Sequence, residues 1–395
     1  MDDYREDLAY DHTKRLTKWY RFVGSDGENK AKRYIFGQFT GLGAECYREP
    51  FKCSNFLTKY LLRIGLLLMA TLLILAGYFY WVNDFLLALL VGIGLLVVLI
   101  GANSLWTGSD LGSGLGTVYE TENLIGCIKA QNPRPKRTVY IIGHYDTKSQ
   151  SFPVLLRIIL FVISALGSLI LGAIIVIGCL IWFINASNIF MGFAIFVSAI
   201  AISISDILLL FNRTGNKSVG ATDNAAAIGV MIAIIRNLLD FPPQNTNVYF
   251  LATSAEEIGL MGATAFIKRH EKELDKEYTY FLNYDIIGGK GKIILHTRYG
   301  IPPKKTSDEI NNILLEIAKE KNLDVGTQYL PVGAAADHLP ILKRGFKTTW
   351  IQTGDRKVTT KIHTTKDNMD LITKESLRTA IILGFEFIQK IDKKP

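Results

Sequence analysis

Four long hydrophobic runs interrupt this chain, and they constrain its fold more than any other feature of the sequence. The runs cover residues 56–80, 85–106, 154–184 and 189–211. Each is long enough to cross a bilayer core of about 30 Å as a helix. A pair of buried soluble helices is the alternative interpretation, but the runs are too long and too poor in charge for it. We therefore expect four transmembrane helices.

The runs form two hairpins, and this arrangement determines where the other segments lie. Residues 82–84 connect the first pair, and residues 185–188 connect the second. Each hairpin crosses the membrane twice, so every polar segment lies on one side and can join one domain. The basic residues near the hairpins lie at the domain-side ends: Arg48, Lys52, Lys59, Arg63, Arg157, Arg213 and Lys217. Neither connection carries a basic residue, so the positive-inside rule predicts a multi-pass protein of the cell membrane with a cytoplasmic domain.

Composition agrees with a membrane protein and argues against other classes. Hydrophobic residues make up 49% of the 395 positions, which is high for a soluble chain of this length. The net charge of +8 could suit nucleic acid, but the basic residues form neither a stripe nor a zinc-finger pattern. We therefore expect the lipid bilayer, and no nucleic acid, as a partner. The four cysteines show no disulfide or metal spacing and are interpreted as free thiols.

Outside the hairpins, predicted strands alternate with predicted helices. The strands are at 123–128, 138–142, 248–252, 278–284, 292–296 and 347–351, and the helices at 225–239, 263–272, 307–321 and 374–391. A capping box at Ser25–Glu28 opens a further amphipathic helix, whereas residues 1–19 carry little signal. This alternation favours an α/β fold with a mostly parallel central sheet flanked by helices.

One domain would then be assembled from three separate segments. They are residues 1–55, 107–153 and 212–395, separated by hairpins at 56–106 and 154–211. A Gly/Ser linker at 108–116 follows the first hairpin. Because the strand pattern resumes after the second hairpin, that hairpin is interpreted as an insertion into the domain.

Two adjacent carboxylates, Glu256 and Glu257, follow the predicted strand at 248–252 where a loop should begin. A solvated acidic turn is the simpler interpretation of such a pair taken alone. However, His144 and Asp285 also follow predicted strands directly. The carboxyl ends of parallel strands meet at one edge of a sheet, so these side chains should converge. Carboxylates that converge repel one another, and a divalent cation is the simplest partner.

Five residues fit the ligands of such a cation: His144, Asp223, Glu257, Asp285 and His363. Two imidazoles and three carboxylates without a thiolate suit Zn²⁺, and Mn²⁺ or Co²⁺ can substitute for it. One metal needs only three protein ligands and an open position, so five ligands favour a pair of metals with one bridging carboxylate. Glu256 is left beside them as a candidate for proton transfer.

Short motifs surround these residues: Gly-His144-Tyr-Asp146, Thr-Asp223-Asn224, Glu256-Glu257, Asn-Tyr-Asp285 and Ile-His363-Thr-Thr. Together they closely resemble the co-catalytic zinc aminopeptidases of metallopeptidase family 28, a group that includes glutamate carboxypeptidase. The resemblance covers about residues 20–50, 115–150 and 218–391, which is essentially the whole polar part. It implies a zinc exopeptidase fold, two Zn²⁺ ions and hydrolysis of peptide bonds.

The resemblance also implies how the ligands divide between two metals. Asp223 would bridge both ions. His144 and Asp285 would complete one site, while Glu257 and His363 would complete the other. One metal or an acidic group could also anchor a free α-amine, which makes aminopeptidase action the most economical expectation.

Further positions take roles around the metals from the same resemblance. Asp146 would orient the neighbouring histidine by accepting its second ring proton. Glu256 would be the general base, and a cis peptide would precede Asn224. Ala226 and Ala336 depart from the pattern, because the family commonly has serine at both positions.

These expectations describe a membrane-anchored exopeptidase that acts on peptides, including hydrophobic or membrane-derived ones delivered by the hairpins. Two other functions stay open. A glutaminyl cyclase-like acyl transferase would use one metal and release a cyclised product. A non-catalytic membrane scaffold would keep the fold alone, although such scaffolds usually lose ligands. Asp206 in the last run is either functional or snorkels to the interface, and His338 belongs either to a substrate rim or to loop packing.

Overall fold

The computed structural model describes residues 4–105, 114–183, 189–300, 302–331 and 335–394 of the chain. They group into two compact units. Residues 1–53, 118–149 and 215–395 belong to the first, here called the sheet unit, and residues 54–117 and 150–214 belong to the second, the helical unit. Positions 108–113 of the expected linker and the whole connection 185–188 lie outside the described residues.

A nine-stranded sheet runs through the described part of the sheet unit. Its strands are β1 (Glu45–Ser54), β2 (Val118–Ile128), β3 (Arg137–His144), β4 (Thr246–Thr253), β5 (Thr279–Tyr284), β6 (Ile293–Tyr299), β7 (Lys304–Lys305), β8 (Val325–Leu330) and β9 (Lys347–Thr353). Their spatial order is β1-β2-β4-β3-β5-β9-β6-β8, and β7 pairs with β6. Two short strands, Ser149–Gln150 and Thr214–Gly215, lie where the chain passes between the units.

The centre of this sheet is parallel, while its flanks are mixed. Strands β4, β3, β5 and β9 are successive neighbours that run in the same direction. Strand β2 runs antiparallel to β4, and β6 runs antiparallel to β9. The α/β class is thereby confirmed. Because the four central strands share a direction, their carboxyl ends lie at one edge, where the predicted ligands follow them.

Helices cover both faces of the sheet. Ile141 of β3 packs in one core with helix Ala226–Asp240, and the next residue, Ile142, packs in the opposite core with helix Met261–His270. Successive side chains of a strand point to opposite faces, which explains why the central strands are continuously apolar. The remaining α-helices of the sheet unit are Glu6–Leu16, Asp26–Gly41, Asp308–Glu320, His338–Lys343, Arg356–Thr359 and Lys374–Asp392.

Residues 1–19 carry little signal in the sequence, and no helix was predicted there. They contain helix Glu6–Leu16, whose Ala9 and Leu16 side chains are fully buried. This helix packs closely on helix Ala226–Asp240 at Gly229, where an added Cβ would lie 2.4 Å from the Ala9 carbonyl oxygen. The buried stripe of this helix is Ala9, Thr13 and Leu16, and only Leu16 is a large apolar residue, so the helix as a whole is hydrophilic and gives little signal.

Strands β1 and β8 were also not predicted from the sequence. Both end the spatial order of the sheet. Strand β1 contains Glu45, Arg48, Glu49 and Lys52, and its side chains are mostly exposed or half-buried. Charged side chains are typical of edge strands, where they prevent pairing with other molecules, and they hide the strand pattern in the sequence.

The helical unit consists of long apolar helices. Its segments are the π-helix Phe56–Leu61 with helix Leu62–Trp81, helix Phe85–Leu105, helix Val154–Val162 with the π-helix Ile163–Gly167 and helix Ser168–Trp182, and helix Ile189–Leu210. Leu73, Leu95, Ile175 and Ala199 form part of its buried core. Small residues allow close helix contact there, since an added Cβ at Gly77 would lie 2.9 Å from that of Ala199.

By length and composition, several of these helices can cross a membrane. Phe56–Trp81, Val154–Trp182 and Met191–Leu210 qualify, whereas Phe85–Gly101 is a shorter apolar stretch. Segment Ala221–Asp240 of the sheet unit also qualifies but is almost wholly buried within that unit. The predicted four-helix membrane arrangement therefore agrees with the helical unit, and Ala221–Asp240 is a core segment.

Asp206 lies among the apolar helices without reaching the surface of the helical unit. Its side chain is fully buried and accepts a hydrogen bond from the Ser164 hydroxyl. The second carboxylate oxygen has no hydrogen-bond partner among the described residues. This burial disagrees with the interpretation in which Asp206 snorkels to the interface.

Candidate metal centre

The structure brings together all five residues that the sequence predicts as metal ligands. His144, Asp223 and Asp285 form one group, and Asp223, Glu257 and His363 form the other. In each group the ligand atoms lie within 4.8 Å of one another. Asp223 belongs to both groups, so the arrangement matches two adjacent cation sites that share one carboxylate.

Two central strands position His144 and Asp285, which are two of the three residues in the first group. Strand β3 ends at His144, and Asp285 follows Tyr284 at the end of the neighbouring strand β5. The Asp285 amide donates to the Ile351 carbonyl of β9, 3.1 Å away, so Asp285 begins its loop while still attached to the sheet. These positions depend on parallel strands ending side by side, as expected at this edge.

Asp223 lies in a tightly held turn before helix Ala226–Asp240. The peptide bond between Asp223 and Asn224 is cis, as the resemblance implies. The Asn224 side-chain amide donates to the Tyr284 carbonyl at 2.8 Å, which fixes the turn to the end of β5. The Asp367 carboxylate accepts from the Asp223 amide at 3.2 Å. The peptide groups on both sides of Asp223 are therefore restrained.

Glu256 and Glu257 follow strand β4 in a one-turn 3₁₀-helix, Glu256–Ile258. The preceding residue, Ala255, has a φ of 57°, a left-handed conformation that turns the chain sharply at the strand end. The Asp146 carboxylate accepts from both glutamate amides, at 3.2 Å each. One buried carboxylate thus holds the backbone of the two glutamates.

The two oxygens of Asp223 face different histidines. Oδ1 lies 3.1 Å from Nε2 of His144, and Oδ2 lies 3.1 Å from Nε2 of His363. Nε2 of His363 is also 3.1 Å from Oε2 of Glu257, and Nε2 of His144 is 3.6 Å from Oδ1 of Asp285. A carboxylate between two imidazoles in this way can coordinate two cations at once.

Asp146 contacts the His144 ring through its backbone carbonyl. The Nδ1–H of His144 donates to the backbone carbonyl of Asp146 at 3.1 Å, while the carboxylate oxygen is 3.6 Å away. A carbonyl can only accept, so Nδ1 carries a proton, and Nε2 is the ring nitrogen that faces the ligand cluster. The backbone therefore orients the ring, and the carboxylate serves the two glutamates.

The donor atoms fit a metal. Nε2 of His144 and Oδ1 of Asp285 are buried and make no hydrogen bond with any described residue. Buried polar atoms are rarely left without a partner, and such atoms pointing into a cluster of potential ligands are consistent with metal binding. The set contains only imidazole and carboxylate donors, which suits zinc.

The electrostatics of the cluster also favour a cation. Burial raises the pKa of Glu256 well above its usual range, and the neighbouring carboxylates raise it further against the opposing charge of His144. Although burial raises the pKa of Glu257, the positive charges of His363 and Lys148 lower it to about 2. Several buried carboxylates in one small volume are unfavourable in a low dielectric unless positive charge balances them.

Several residues around the centre were missed in the sequence. Lys148 lies with Nζ 2.8 Å from Oε2 of Glu257. Asp367 is buried and holds the Asp223 turn, and burial raises its pKa to about 6. Arg21 is buried against the loops that carry the ligands. Lys148 and Asp367 lie close in sequence to the motifs of Asp146 and His363, but burial alone distinguishes them from surface charges.

Packing describes the surroundings of three further buried residues, His338, His296 and Ala336. His338 is fully buried and stacks on Trp350 with ring centroids 5.5 Å apart, which supports loop packing rather than a substrate rim. His296 is also buried and contacts Gln352. Ala336 is buried, and its carbonyl accepts from the Leu339 amide at the start of helix His338–Lys343.

Part of this chain is similar to known peptidases. Residues 203–387 match the model of peptidase family M28. Aminopeptidase YwaD of Bacillus subtilis (strain 168) is 29% identical over 188 residues, which cover 45% of this chain and 40% of that protein. The chain therefore matches less than half the length of this curated relative.

Solved structures share the fold across the whole chain. A zinc aminopeptidase from Bacillus subtilis, BSAP, has a TM-score of 0.58 at 14% identity, with 100% of this chain and 96% of that chain covered. A leucine aminopeptidase precursor from Bacteroides thetaiotaomicron has a TM-score of 0.57 at 15% identity, covering 98% and 97%. A glutaminyl cyclase from an Acidobacteriales bacterium has a TM-score of 0.57 at 16% identity, covering 99% and 96%. At these identities the likeness establishes the fold.

Proposed function

From the premise that this chain belongs to peptidase family M28, with residues 203–387 matching its model, we propose that the protein is a membrane-anchored di-zinc aminopeptidase. The observation that carries the proposal is the shared position of Asp223 in two groups of imidazole and carboxylate ligands. Zinc fits both groups, and Mn²⁺ or Co²⁺ can take the same donors. In this assignment His144 and Asp285 would hold one ion, Glu257 and His363 would hold the other, and Asp223 would be a ligand of both.

Zinc at these ligands supplies Lewis acidity, which makes water a better nucleophile near neutral pH and polarises the scissile carbonyl. The protein supplies the proton transfer. Glu256 is the general base that takes a proton from the attacking water and returns it to the departing amine. Its backbone is fixed through Asp146, so the carboxyl group stays beside the cluster, with Oε2 3.9 Å from Nε2 of His144.

The raised pKa of Glu256 suits this role. Burial favours the protonated carboxyl group, and that form can donate a proton to the leaving amine. Zinc would lower this pKa again by adding positive charge nearby, so the group can alternate between base and acid during one turnover.

The substrate is a peptide with a free α-amine, including hydrophobic or membrane-derived peptides. The apolar helices of the helical unit support membrane anchoring by their length and composition. The basic residues beside the hairpins favour a cytoplasmic position for the sheet unit. A reporter fused to the carboxyl terminus checks this orientation, because a signal from the outer face of the membrane would contradict it.

Activity of the purified full-length protein tests the proposal. It should release amino acids from peptides with a free amino terminus and leave the acetylated forms of the same peptides intact. Glu256→Gln should lower kcat by about 10²- to 10⁴-fold while zinc content stays unchanged. Glu273→Gln is the matched control, because this exposed side chain contacts only His270 among its described partners. Equal cleavage of free and acetylated peptides would rule out aminopeptidase action.

A glutaminyl cyclase-like reaction is the second candidate. It is favoured by the structural likeness to the Acidobacteriales glutaminyl cyclase, whose TM-score equals that of the leucine aminopeptidase precursor. A peptide with an amino-terminal glutamine separates the two functions. Release of free glutamine supports the peptidase, whereas loss of ammonia with an intact, cyclised peptide supports the cyclase.

A further inference from the structure

Arg21 is a fully buried arginine in the segment that joins helices Glu6–Leu16 and Asp26–Gly41. Its guanidinium group donates to backbone carbonyls: Nε to Tyr145 at 2.7 Å, Nη1 to Val219 at 2.6 Å, to Leu16 at 3.0 Å and to Trp19 at 3.4 Å, and Nη2 to Gly220 at 3.0 Å. Among the described residues, no carboxylate accepts a hydrogen bond from it. Burial of a guanidinium group is unfavourable unless its donors are satisfied, and here the backbone satisfies them.

In the sequence, the carbonyl of Tyr145 comes before the insertion of residues 150–214, and those of Val219 and Gly220 come after it. The chain leaves the sheet unit after Ser149 and returns at Gly215, because residues 150–214 belong to the helical unit. Tyr145 directly follows His144, and Gly220 precedes Asp223 by three positions. Arg21 therefore binds both chain segments next to two predicted metal ligands that the insertion separates.

The backbone of Arg21 strengthens the same connection through Thr147. The Arg21 amide donates to Oγ1 of Thr147 at 3.0 Å, and the Thr147 amide donates to the Arg21 carbonyl at 3.2 Å. The Thr147 hydroxyl then donates to the Ser218 carbonyl at 3.2 Å. At Gly220, whose φ is 53°, an added Cβ would lie 2.4 Å from Cγ2 of Thr147. The outgoing and returning segments are thus in direct contact.

The charge of Arg21 also suits this location. Burial lowers its pKa to about 10, against the opposing effects of Asp367, Asp146, Asp223 and Glu257. The side chain therefore stays protonated near neutral pH. It contributes a fixed positive charge behind the carboxylate cluster, in addition to its hydrogen bonds.

We propose that Arg21 is a positioning residue that ties together the chain segments on either side of the insertion at 150–214, so that His144 and Asp223 keep the spacing that zinc requires. The inference rests on the proposed di-zinc function. It assigns the N-terminal segment a part in metal binding, although none of the predicted ligands lies there. A residue that only stabilised the fold would affect unfolding without changing the zinc affinity of the folded protein.

Zinc affinity of the full-length protein in detergent tests the proposal. The metal is removed with a chelator and returned in competition with a chromophoric chelator, at a temperature where circular dichroism shows each variant to be folded. Wild type should bind two zinc ions per chain. Arg21→Met and Arg21→Lys should bind zinc about 10- to 100-fold more weakly, as expected when a residue that orients metal ligands is lost. Arg21→Lys keeps the charge but not the planar fork of donors, so its loss should be smaller.

Two further variants keep the test decisive. Thr147→Val removes one hydroxyl from the same connection and should weaken zinc binding in the same direction, even where Arg21→Met does not fold. Arg378→Met, which breaks a half-exposed pair with Glu6 on the N-terminal helix, should leave zinc affinity unchanged. A lower melting temperature with wild-type zinc affinity in the Arg21 and Thr147 variants would overturn the proposal. A wild-type protein that binds no zinc would instead overturn the proposed function.

Discussion

Two apolar segments of this protein, Ala221–Asp240 and Met191–Leu210, have different surroundings. Both are long and hydrophobic enough to cross a membrane. In the first, Ile232 is fully buried in the core of the sheet unit, whereas in the second Val197 is 47% exposed on the helical unit. The comparison shows that hydrophobic composition permits two locations, and that coverage by other elements decides between them.

The same contrast applies to polar residues. In the sheet unit, buried carboxylates and imidazoles converge at the ends of parallel strands and form two groups around Asp223. In the helical unit, Asp206 is buried beside Ser164 and is part of neither group of potential metal ligands found among the described residues. A buried acid becomes part of a metal centre only where the fold brings several ligands to one place.

The largest effect is expected at Asp223, which belongs to both ligand groups of the sheet unit. Asp223→Ala removes the shared ligand from both groups, so zinc binding should be lost at both sites and activity should become undetectable. His363→Ala is the matched variant and should leave one zinc ion per chain, because His144, Asp223 and Asp285 remain. Zinc content by atomic absorption measures both. Equal zinc loss in the two variants would contradict the bridging position of Asp223.

A paired truncation sharpens the comparison of the two apolar segments. Ile232→Ala should lower the free energy of unfolding by about 2–5 kcal/mol, since it leaves a cavity in a packed core. Val197→Ala removes a half-exposed side chain and should change it by no more than about 0.5 kcal/mol. Denaturant unfolding in the same detergent measures both. A large effect at Val197 would show that this face is covered by protein in the native state.

A smaller effect is expected at Glu28, a buried acid that binds the Ser254 side chain two positions before Glu256. Glu28 is fully buried, and its carboxylate accepts from the hydroxyls of Thr121 and Ser254 and from the Gly24 amide. Glu28→Gln replaces one accepting oxygen with a donor and should destabilise the sheet unit by about 1–3 kcal/mol. Thermal unfolding measures this loss, and Thr121→Val is the companion that removes one partner. An unchanged melting temperature in both would show that these bonds add nothing.

The smallest expected effect concerns the surface of the sheet unit. Arg378 pairs with Glu6 at 3.1 Å, and both side chains are partly exposed. Arg378→Met should cost no more than about 1 kcal/mol, because solvent and salt screen such pairs. The melting temperature at low and high salt measures it. A loss of several kcal/mol would mean that the N-terminal helix depends on this pair rather than on the burial of Ala9 and Leu16.

The sequence predicted the centre of the sheet better than its edges. Strand β3 and strand β4 were recognised because both faces are buried and the residues are continuously apolar. Strand β1 was missed, since the alternation of charged residues along an exposed edge resembles a loop. Helix Glu6–Leu16 was missed for a related reason, because only a narrow stripe of it is buried.

The candidate metal ligands were predictable, but their supporting residues were not. Each candidate lies in a short motif, and His144, Glu257 and Asp285 also lie at or just after strand ends, where chemistry is expected. Asp367 and Arg21 act through contacts with distant segments, as shown by Asp367 with Asp223 and by Arg21 with Gly220. Sequence separation hides such contacts, and a charged residue in a sequence gives no sign of its burial. The contacts of the Asp146 carboxylate with the two glutamate amides were not predicted either.

The sequence by itself determined the α/β class, the hydrophobic hairpins and the identity of the candidate ligands, because periodicity and residue type are local properties. Only the tertiary structure decided that Asp223 faces two histidines and that Arg21 joins the segments around an insertion. The physical reason is that burial and coordination depend on which distant segments meet. Hydrophobic burial and hydrogen bonding determine which segments come into contact in the sheet unit.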